Sequence, residues 1–348
     1  FDFPAGENPC LLFAPRRGSV ELINDTTIEG SQDLHGAAGY FSLRFDRPVS
    51  RHTQLESGIR LQFTGAAPIE VCIGVSFIDA AQARRNRDNE LGSRPFELLV
   101  EEARQEWQTA LSQIRVEGGS DKQRRTLYTA LYRMMGRMHN ISEEGRYFSG
   151  YDGQIHSGEA DFYVGDQIWD TFRSAHPLRV LIDPQRELDM IRSYVRMAAQ
   201  SGWLPRFPGV GGDVPCMLGH HTIAAIVDAY RKGLTDFDVS QAYAAMRRRL
   251  TEATNLPWRN GPLTELDHVY IEKGFLPALR PGESETVPEV HPFEARQAVA
   301  VTLECSYDAY VLALMARELG KKQDYATFID RSRNYRELYN PVNGFMAP

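Results

Sequence analysis

The feature that most constrains this chain is a change of hydrophobic period partway along it. Apolar and polar residues first alternate, with Phe41, Leu43 and Phe45, then Ile59, Leu61 and Phe63, then Ile69, Val71, Ile73, Val75 and Phe77 recurring every second position. A period of two belongs to strands with one face buried. Turn-rich stretches at 3–9 (FPAGENP) and 64–68 (TGAAP) punctuate these runs, which predicts an antiparallel β-sandwich over 1–78. After it the period becomes helical. Leu99, Ala103, Trp107, Ala110, Leu111 and Ile114 share one helix face within two charged segments, so 79–120 reads as a helical linker.

From residue 121 onward helical segments recur. Ser120 is placed to cap a helix over 121–138, and further helices are predicted near 184–200, 220–232, 239–254, 296–319 and 324–338. Gly233 and Gly320 stand where left-handed residues would stop two of them. Long Gly/Pro/aromatic loops at 145–169, 201–219 and 255–293 exceed ordinary helix connections, which marks them for function. A sandwich followed by helices with decorated loops predicts a multidomain α+β protein whose region 121–348 is the first part of a helical barrel. About six helices are legible there, roughly half of what a closed toroid of helix pairs needs, so the barrel is expected to be incomplete in this chain.

At 348 residues the chain exceeds the size at which one core usually stops growing, and 42% hydrophobic with 24% charged residues is the balance of a folded protein. The net charge of -7 supplies no general attraction for nucleic acid or anionic membrane. Cys10, Cys72, Cys216 and Cys305 lie far apart, without CxxC or Cys/His spacing, so neither a disulfide framework nor a structural zinc site is expected. No uninterrupted apolar run reaches the length of a membrane span, and no charged-then-apolar leader opens the chain at Phe1.

Three segments concentrate chemical groups. YVGDQIWDTFRSAHPL, 163–178, brings Asp166, Trp169, Asp170, Arg173 and His176 together. It reads either as a capped helix start with Trp169 in the core, or as a sugar platform in which Trp169 faces the C–H side of a pyranose and Asp170 accepts from vicinal hydroxyls. GWLPRFPGVGGDVPCMLGHH, 202–221, carries Trp203, Arg206 and Phe207 and ends in two adjacent histidines. Neighbouring side chains on a helix point apart, so a shared metal is not expected and a buried, hydrogen-bonded histidine is. In AVTLECSYDAYVLALMARELGKK, 300–322, Glu304 stands among apolar residues, with Asp308 four positions on. Burial would raise the Glu304 pKa, as a general acid requires, whereas exposure or an Arg partner would not. Two carboxylates on one face would raise each other's proton affinity if close. GxSxG, HExxH, P-loop, GxGxxG and EF-hand patterns are all absent from the sequence.

In family order, VCIGVSFIDAAQARRNRDNEL (71–91), LYTALYRMM (127–135), WDTFRSAHPL (169–178), GWLPRF (202–207), CMLGHHTIAAIVDAYRKGLTDFD (216–238), TLECSYDAYVLALMARELGK (302–321) and RNYRELYNPVNGFMAP (333–348) resemble the glycoside hydrolase family 92 α-mannosidases. The resemblance implies an N-terminal β-sandwich followed by an (α/α)6 barrel, and a calcium-dependent, exo-acting enzyme that inverts at the anomeric carbon. By the same resemblance Glu304 matches the general acid, and Trp169, Asp170 and Arg206 match residues lining the terminal-mannose pocket. The implied partner is a mannose-containing oligosaccharide or glycoprotein glycan, with α-1,2 linkages foremost, and the implied location is secreted or periplasmic.

Two departures from the family pattern stand out. The second of two acids that follow the general acid is replaced by Ala309. The Gly-Asn-Asp-Asp-type motif that carries the family's base, together with much of the calcium shell, has no counterpart in the sequence. The expectation is therefore a fragment whose base and calcium ligands lie outside it, with no metal ligand assigned within it. Two other readings remain open at this point: a degenerate, mannose-binding member, and an (α/α)6-barrel hydrolase or phosphorylase acting on α-glucosides.

Overall fold

A computed structural model describes residues 1–4, 8–34, 36–65, 67–158 and 160–347. Positions 5–7 of the first expected turn, 66 of the second and 159 of the 145–169 loop lie outside the described residues. The chain divides into two compact units, 1–136 with 141–160, and 137–140 with 161–348.

In the first unit the alternating runs form two antiparallel sheets. β1 (Cys10–Phe13), β5 (Arg51–Leu55) and β6 (Gly58–Gln62) make a three-stranded sheet in the order β1-β6-β5. β2 (Ser19–Asn24), β3 (Thr27–Leu34), β4 (Ala37–Phe45) and β7 (Val71–Ser76) make a four-stranded sheet in that order. Leu11, Ile59 and Leu61 from the first sheet meet Val20, Ile28, Leu43 and Phe45 from the second in one core, completed by Phe63 and Ile69. Each of these residues is on the inward face because the pleat alternates, so a one-residue slip would turn the set to solvent.

The alternation fails along β7. Ile69 is fully buried, but Ile73 and Val75 are 52% and 64% exposed, contrary to the expected burial of every second residue. The opposite face is the covered one there, with Gly74 and Ser76 buried beneath α1 (Ala80–Glu90). A Cβ on Gly74 would lie 2.1 Å from the Ala83 carbonyl oxygen and 2.5 Å from Arg87 Cβ, so the helix can rest on the sheet only over glycine. α1 is held by charge rather than by an apolar stripe. Arg84 grips Glu29 with two bonds of 2.7 and 2.8 Å, and Glu29 and Arg87 each bond the Ser42 hydroxyl at 2.9 Å. α2 (Phe96–Leu111) buries no residue fully, and its apolar face packs shallowly, with Trp107 against Tyr132 of α3 (Asp121–Met135) at 4.4 Å between ring centroids. Ser120 caps α3 through a capping box with Gln123, as its position predicts, and the helix stops at Met135 before Gly136.

The second unit is helical. Short strands β8 (His139–Asn140) and β11 (Tyr163–Val164) pair with each other, while β9 (Arg146–Ser149) and β10 (Gln154–Ser157) pair within the first unit. Then follow α4 (Ile168–Thr171), α5 (Ala175–Ile182), α6 (Pro184–Ser201), α7 (Thr222–Arg231), α8 (Val239–Glu252), α9 (Glu265–Lys273), α10 (Ala298–Glu318) and α11 (Lys322–Arg331). Periodicity missed α5 and α9. α9 spans nine residues inside the long 255–293 loop, and its start is marked only by the Thr264–Asp267 capping box. Gly233 and Gly320, at φ 97° and 70°, do end α7 and α10. The 255–293 loop folds onto α10, with Leu256, Leu266, Tyr270, Leu276, Val287 and Val290 packed on Ala298, Val301 and Cys305. α10 is long and apolar enough in composition to cross a membrane, yet 61% of its most apolar window is buried within the protein, as in a core helix. Strands in sheets followed by these helices make the mixed α+β order expected from the sequence.

Candidate functional site

The segment 163–178 is a surface turn held from beneath. Asp166 is 3% exposed, and its carboxylate accepts from the Gln167 backbone N–H at 2.8 Å, the Thr171 hydroxyl at 2.9 Å and the Tyr194 hydroxyl of α6 at 2.6 Å. His176 Nε2 lies 2.9 Å from Asp166 Oδ2, and its Nδ1 lies 2.7 Å from Glu187 Oε1. Burial opposes charge at both His176 and Asp166, but at His176 the carboxylates on either side of the ring prevail, and at Asp166 the His176 charge prevails with the bonds from His176, Tyr194 and Thr171. His176 is pushed up to about 9 and Asp166 is held down to about 2. Asp166 and His176 anchor the chain, and between them Ile168 and Phe172 are buried while Trp169, Asp170 and Arg173 stand partly or fully exposed.

Trp169, Asp170 and Arg173 are those outward residues. Asp170 is exposed, and among the described residues its side chain has no hydrogen bond. The Trp169 ring is half-buried, with its indole N–H enclosed and without an acceptor. The Arg173 guanidinium lies 5.2 Å from the Trp169 ring and 4.7 Å from the Phe172 ring, a cation over two π faces.

On α10, Glu304 and Asp308 are one turn apart, which brings them to one face. They meet the end of the 201–219 loop there. His221, just before α7, places Nδ1 3.0 Å from Asp308 Oδ1 and Nε2 3.2 Å from Glu304 Oε2. The second contact is a close ion pair and not an aligned hydrogen bond, since Nε2 has no acceptor in line with its N–H. The His220 backbone N–H donates to Asp308 Oδ2 at 2.6 Å, which uses the other oxygen of that fully buried carboxylate. Phe172 stacks on the His221 ring, and Tyr307 meets it edge-on at 6.1 Å.

Glu304 is the partly open member of this cluster, its side chain 20% exposed, with Arg173 Nη2 3.3 Å from Oε1. Burial alone would raise its pKa, the direction expected from sequence. The opposite is found: the charged His221 ring close by, joined by Arg173, holds the carboxyl below its ordinary value. His221 itself is pushed up to about 9, because Asp308 and Glu304 outweigh its burial. The imidazolium standing beside Glu304 is why the nearby Asp308 carboxylate does not raise the Glu304 proton affinity. The two adjacent histidines point to different partners, as their spacing requires. His220 is buried between Asn255 Oδ1 and Arg249 Nε, each at 3.0 Å, and burial with the Arg249 and Arg206 charges keeps it neutral.

Arg206 stands apart from Glu304 in role. It is 2% exposed, and its guanidinium donates to the carbonyls of Leu256 at 2.7 Å and Thr254 at 2.6 Å. Its charge ties the 201–219 loop to the start of the 255–293 loop, whereas a pocket-lining residue would face solvent. Ala309 is buried at 3% exposure, and the ion pairs of Glu304 are with His221 and Arg173. Sequence reasoning missed Phe172 and Tyr307, which lie beside residues it did single out, and the clamp on His221. Among the described residues no group of three or more His, Cys, Asp or Glu is disposed to hold a metal ion, so no calcium ligand is assigned and no chemistry is routed through one.

Residues 82–348 match the glycosyl hydrolase family 92 catalytic domain. A family GH92 inverting mannosidase from Bacteroides thetaiotaomicron VPI-5482 superposes with a TM-score of 0.85 at 27% identity, over 99% of this chain and 48% of that one. A family GH92 α-mannosidase from Bacteroides thetaiotaomicron gives 0.81 at 23% identity over 97% and 46%. A GH92 family glycosyl hydrolase, ccman5, gives 0.73 at 23% identity over 98% and 46%. The chain thus spans about half the length of these solved structures. A comparison with curated proteins finds no match.

Proposed function

Since the chain belongs to glycosyl hydrolase family 92, we propose that the whole protein is an inverting, exo-acting α-mannosidase in which Glu304 is the general acid. The observation that carries this reading is the placement of Glu304. Its carboxyl opens to solvent from a cluster of otherwise buried groups and pairs with Arg173, whose guanidinium lies 5.2 Å from the Trp169 ring. A terminal mannose set against Trp169 would present hydroxyls to Asp170 and its glycosidic oxygen toward Glu304.

The reaction needs a proton on the departing oxygen and a water attacking the anomeric carbon from the opposite face. Glu304 supplies the first by breaking its O–H bond as the C–O bond to the leaving group breaks. The second needs a base on the far side of the sugar, about 6.5–9.5 Å from the acid when configuration inverts. Inversion is supported by the mannosidase at 27% identity, which is described as inverting. Calcium, a hard cation with oxygen ligands, remains part of the proposal as a holder of sugar hydroxyls. Action on secreted or periplasmic glycans belongs to it in the same way.

The test is hydrolysis of α-1,2-mannobiose by the whole protein, with the anomer of the released mannose read by NMR before mutarotation. Release of β-mannose supports the reading. Release of α-mannose removes inversion, and turnover of α-glucobioses in place of mannobiose removes the substrate.

A further inference from the structure

The clamp around His221 has a feature that a purely structural histidine would lack. Its Nδ1 is committed to Asp308 at 3.0 Å, and Asp308 is itself fixed by the His220 backbone N–H at 2.6 Å. Phe172 stacks on the ring, with centroids 4.0 Å apart, and packs one of its faces. What remains is Nε2, a buried nitrogen with no aligned acceptor, 3.2 Å from Glu304 Oε2. Burying a donor without a partner is costly, and here the unused donor is aimed at the one carboxyl of the cluster that reaches solvent. Among the described residues the other oxygen of Glu304 is held by Arg173, which is 52% exposed and 3.3 Å away. The carboxyl is thus gripped loosely from outside and faced by a fixed proton donor from inside.

We propose that His221, locked by Asp308 and Phe172, is a positioning residue that orients Glu304 and hands it the proton used on the leaving group. The proposal rests on the reading of Glu304 as general acid. When a sugar draws Arg173 away, the carboxyl turns and its Oε2 lines up with the Nε2–H. The N–H bond breaks as the O–H bond on Oε2 forms. The electron pair stays on Nε2, the Nδ1–H remains on Asp308, and the pair's net charge is unchanged. Glu304 then gives that proton to the glycosidic oxygen, and one proton taken from solvent between turnovers restores the imidazolium. The charged groups facing the pair are Asp308 from α10 and Arg173 from the segment after α4; neutral His220 precedes it and the Tyr307 phenol lies against the ring.

The experiment is a pH titration of the 348-residue chain by NMR, following the His221 ring nitrogens with ¹⁵N and the Glu304 carboxyl with ¹³C. The expected result is a doubly protonated His221 ring at neutral pH, a Glu304 titration that moves to higher pH in H221Q, and a His221 titration that moves to lower pH in D308N. A His221 ring that is neutral at pH 7 in the unsubstituted chain overturns the proposal, and that measurement needs no variant to fold. A His221 titration unmoved in a D308N chain that keeps its circular dichroism overturns it as well. Hydrolysis of an aryl α-mannoside by the whole protein is scored separately. No hydrolysis, with the two titrations behaving as expected, removes the mannosidase reading and leaves the proton pair in place.

Discussion

Phe172 lies flat against His221, with ring centroids 4.0 Å apart and planes within 20°. The stack joins the turn that presents Trp169 and Arg173 to the histidine that faces Glu304, so a packing contact couples the two halves of the site. Phe172 is 7% exposed. Phe172→Ala is expected to cost about 3 kcal/mol of stability, measured by urea denaturation. It should also weaken mannoside turnover by the whole protein beyond what the stability loss explains.

Glu304→Gln removes a transferable proton while keeping the side chain's shape. On alkyl or sugar leaving groups the loss in kcat is expected to be about 10²- to 10⁴-fold, and much smaller on dinitrophenyl mannosides, which depart without protonation. Equal losses on both substrate classes would contradict the acid role.

Stability should vary with pH in a manner set by the buried ion clusters. His176 and His221 are pushed up to about 9 from 6.5, so their contribution is complete below about pH 6.5 and disappears as pH rises through 9. Asp166 is held down to about 2 from 3.8, so its contribution is complete above about pH 4 and is lost as pH falls through 2. Urea midpoints are therefore expected to form a plateau between roughly pH 4 and 6.5 and to fall on both sides. His176→Gln should flatten the alkaline fall.

Gly74→Ala is expected to destabilise the first unit by about 1–3 kcal/mol through overpacking. The added methyl has no room beneath α1, where backbone and not a flexible side chain stands 2.1 Å away. Thermal melting decides it, and a neutral effect would mean that α1 lifts from the sheet at little cost.

If calcium holds the sugar, EDTA should abolish turnover by the whole protein and added Ca²⁺ should restore it, without a matching change in circular dichroism. Full activity in EDTA would end the calcium proposal.

The sandwich was legible because its core residues obey the pleat, and Leu43, Phe45, Ile59 and Leu61 are buried where alternation put them. β7 escaped that logic, since burial of Gly74 and Ser76 comes from a helix laid over the far face, and its polar residues Arg84 and Arg87 give no apolar stripe to read. Helices α6, α7, α8 and α10 were found from period and caps, while α9 was too short to declare itself. Trp169, Asp170 and Glu304 could be singled out as residue types out of keeping with their neighbours. The charge on Glu304 could not, because it depends on His221, 83 positions away in the chain, and on Arg173, which is further still. Arg206 shows the same limit in reverse: in sequence it sits in a glycine- and proline-rich loop, and only the carbonyls of Thr254 and Leu256 reveal that its charge is already engaged.

The anchoring of Asp166 and His176 from α6 separates support from contact within a single short stretch of chain. The residues that hold the turn point inward, and those that would greet a ligand point outward, so the two sets are free to change independently. Asp170, exposed and without a side-chain hydrogen bond among the described residues, can be exchanged for other side chains without re-solving how the backbone beneath it is carried. If this turn receives the sugar, a different sugar could be accommodated by altering its outward positions on an unaltered mount, which makes it a place where new specificity can be written onto an old frame.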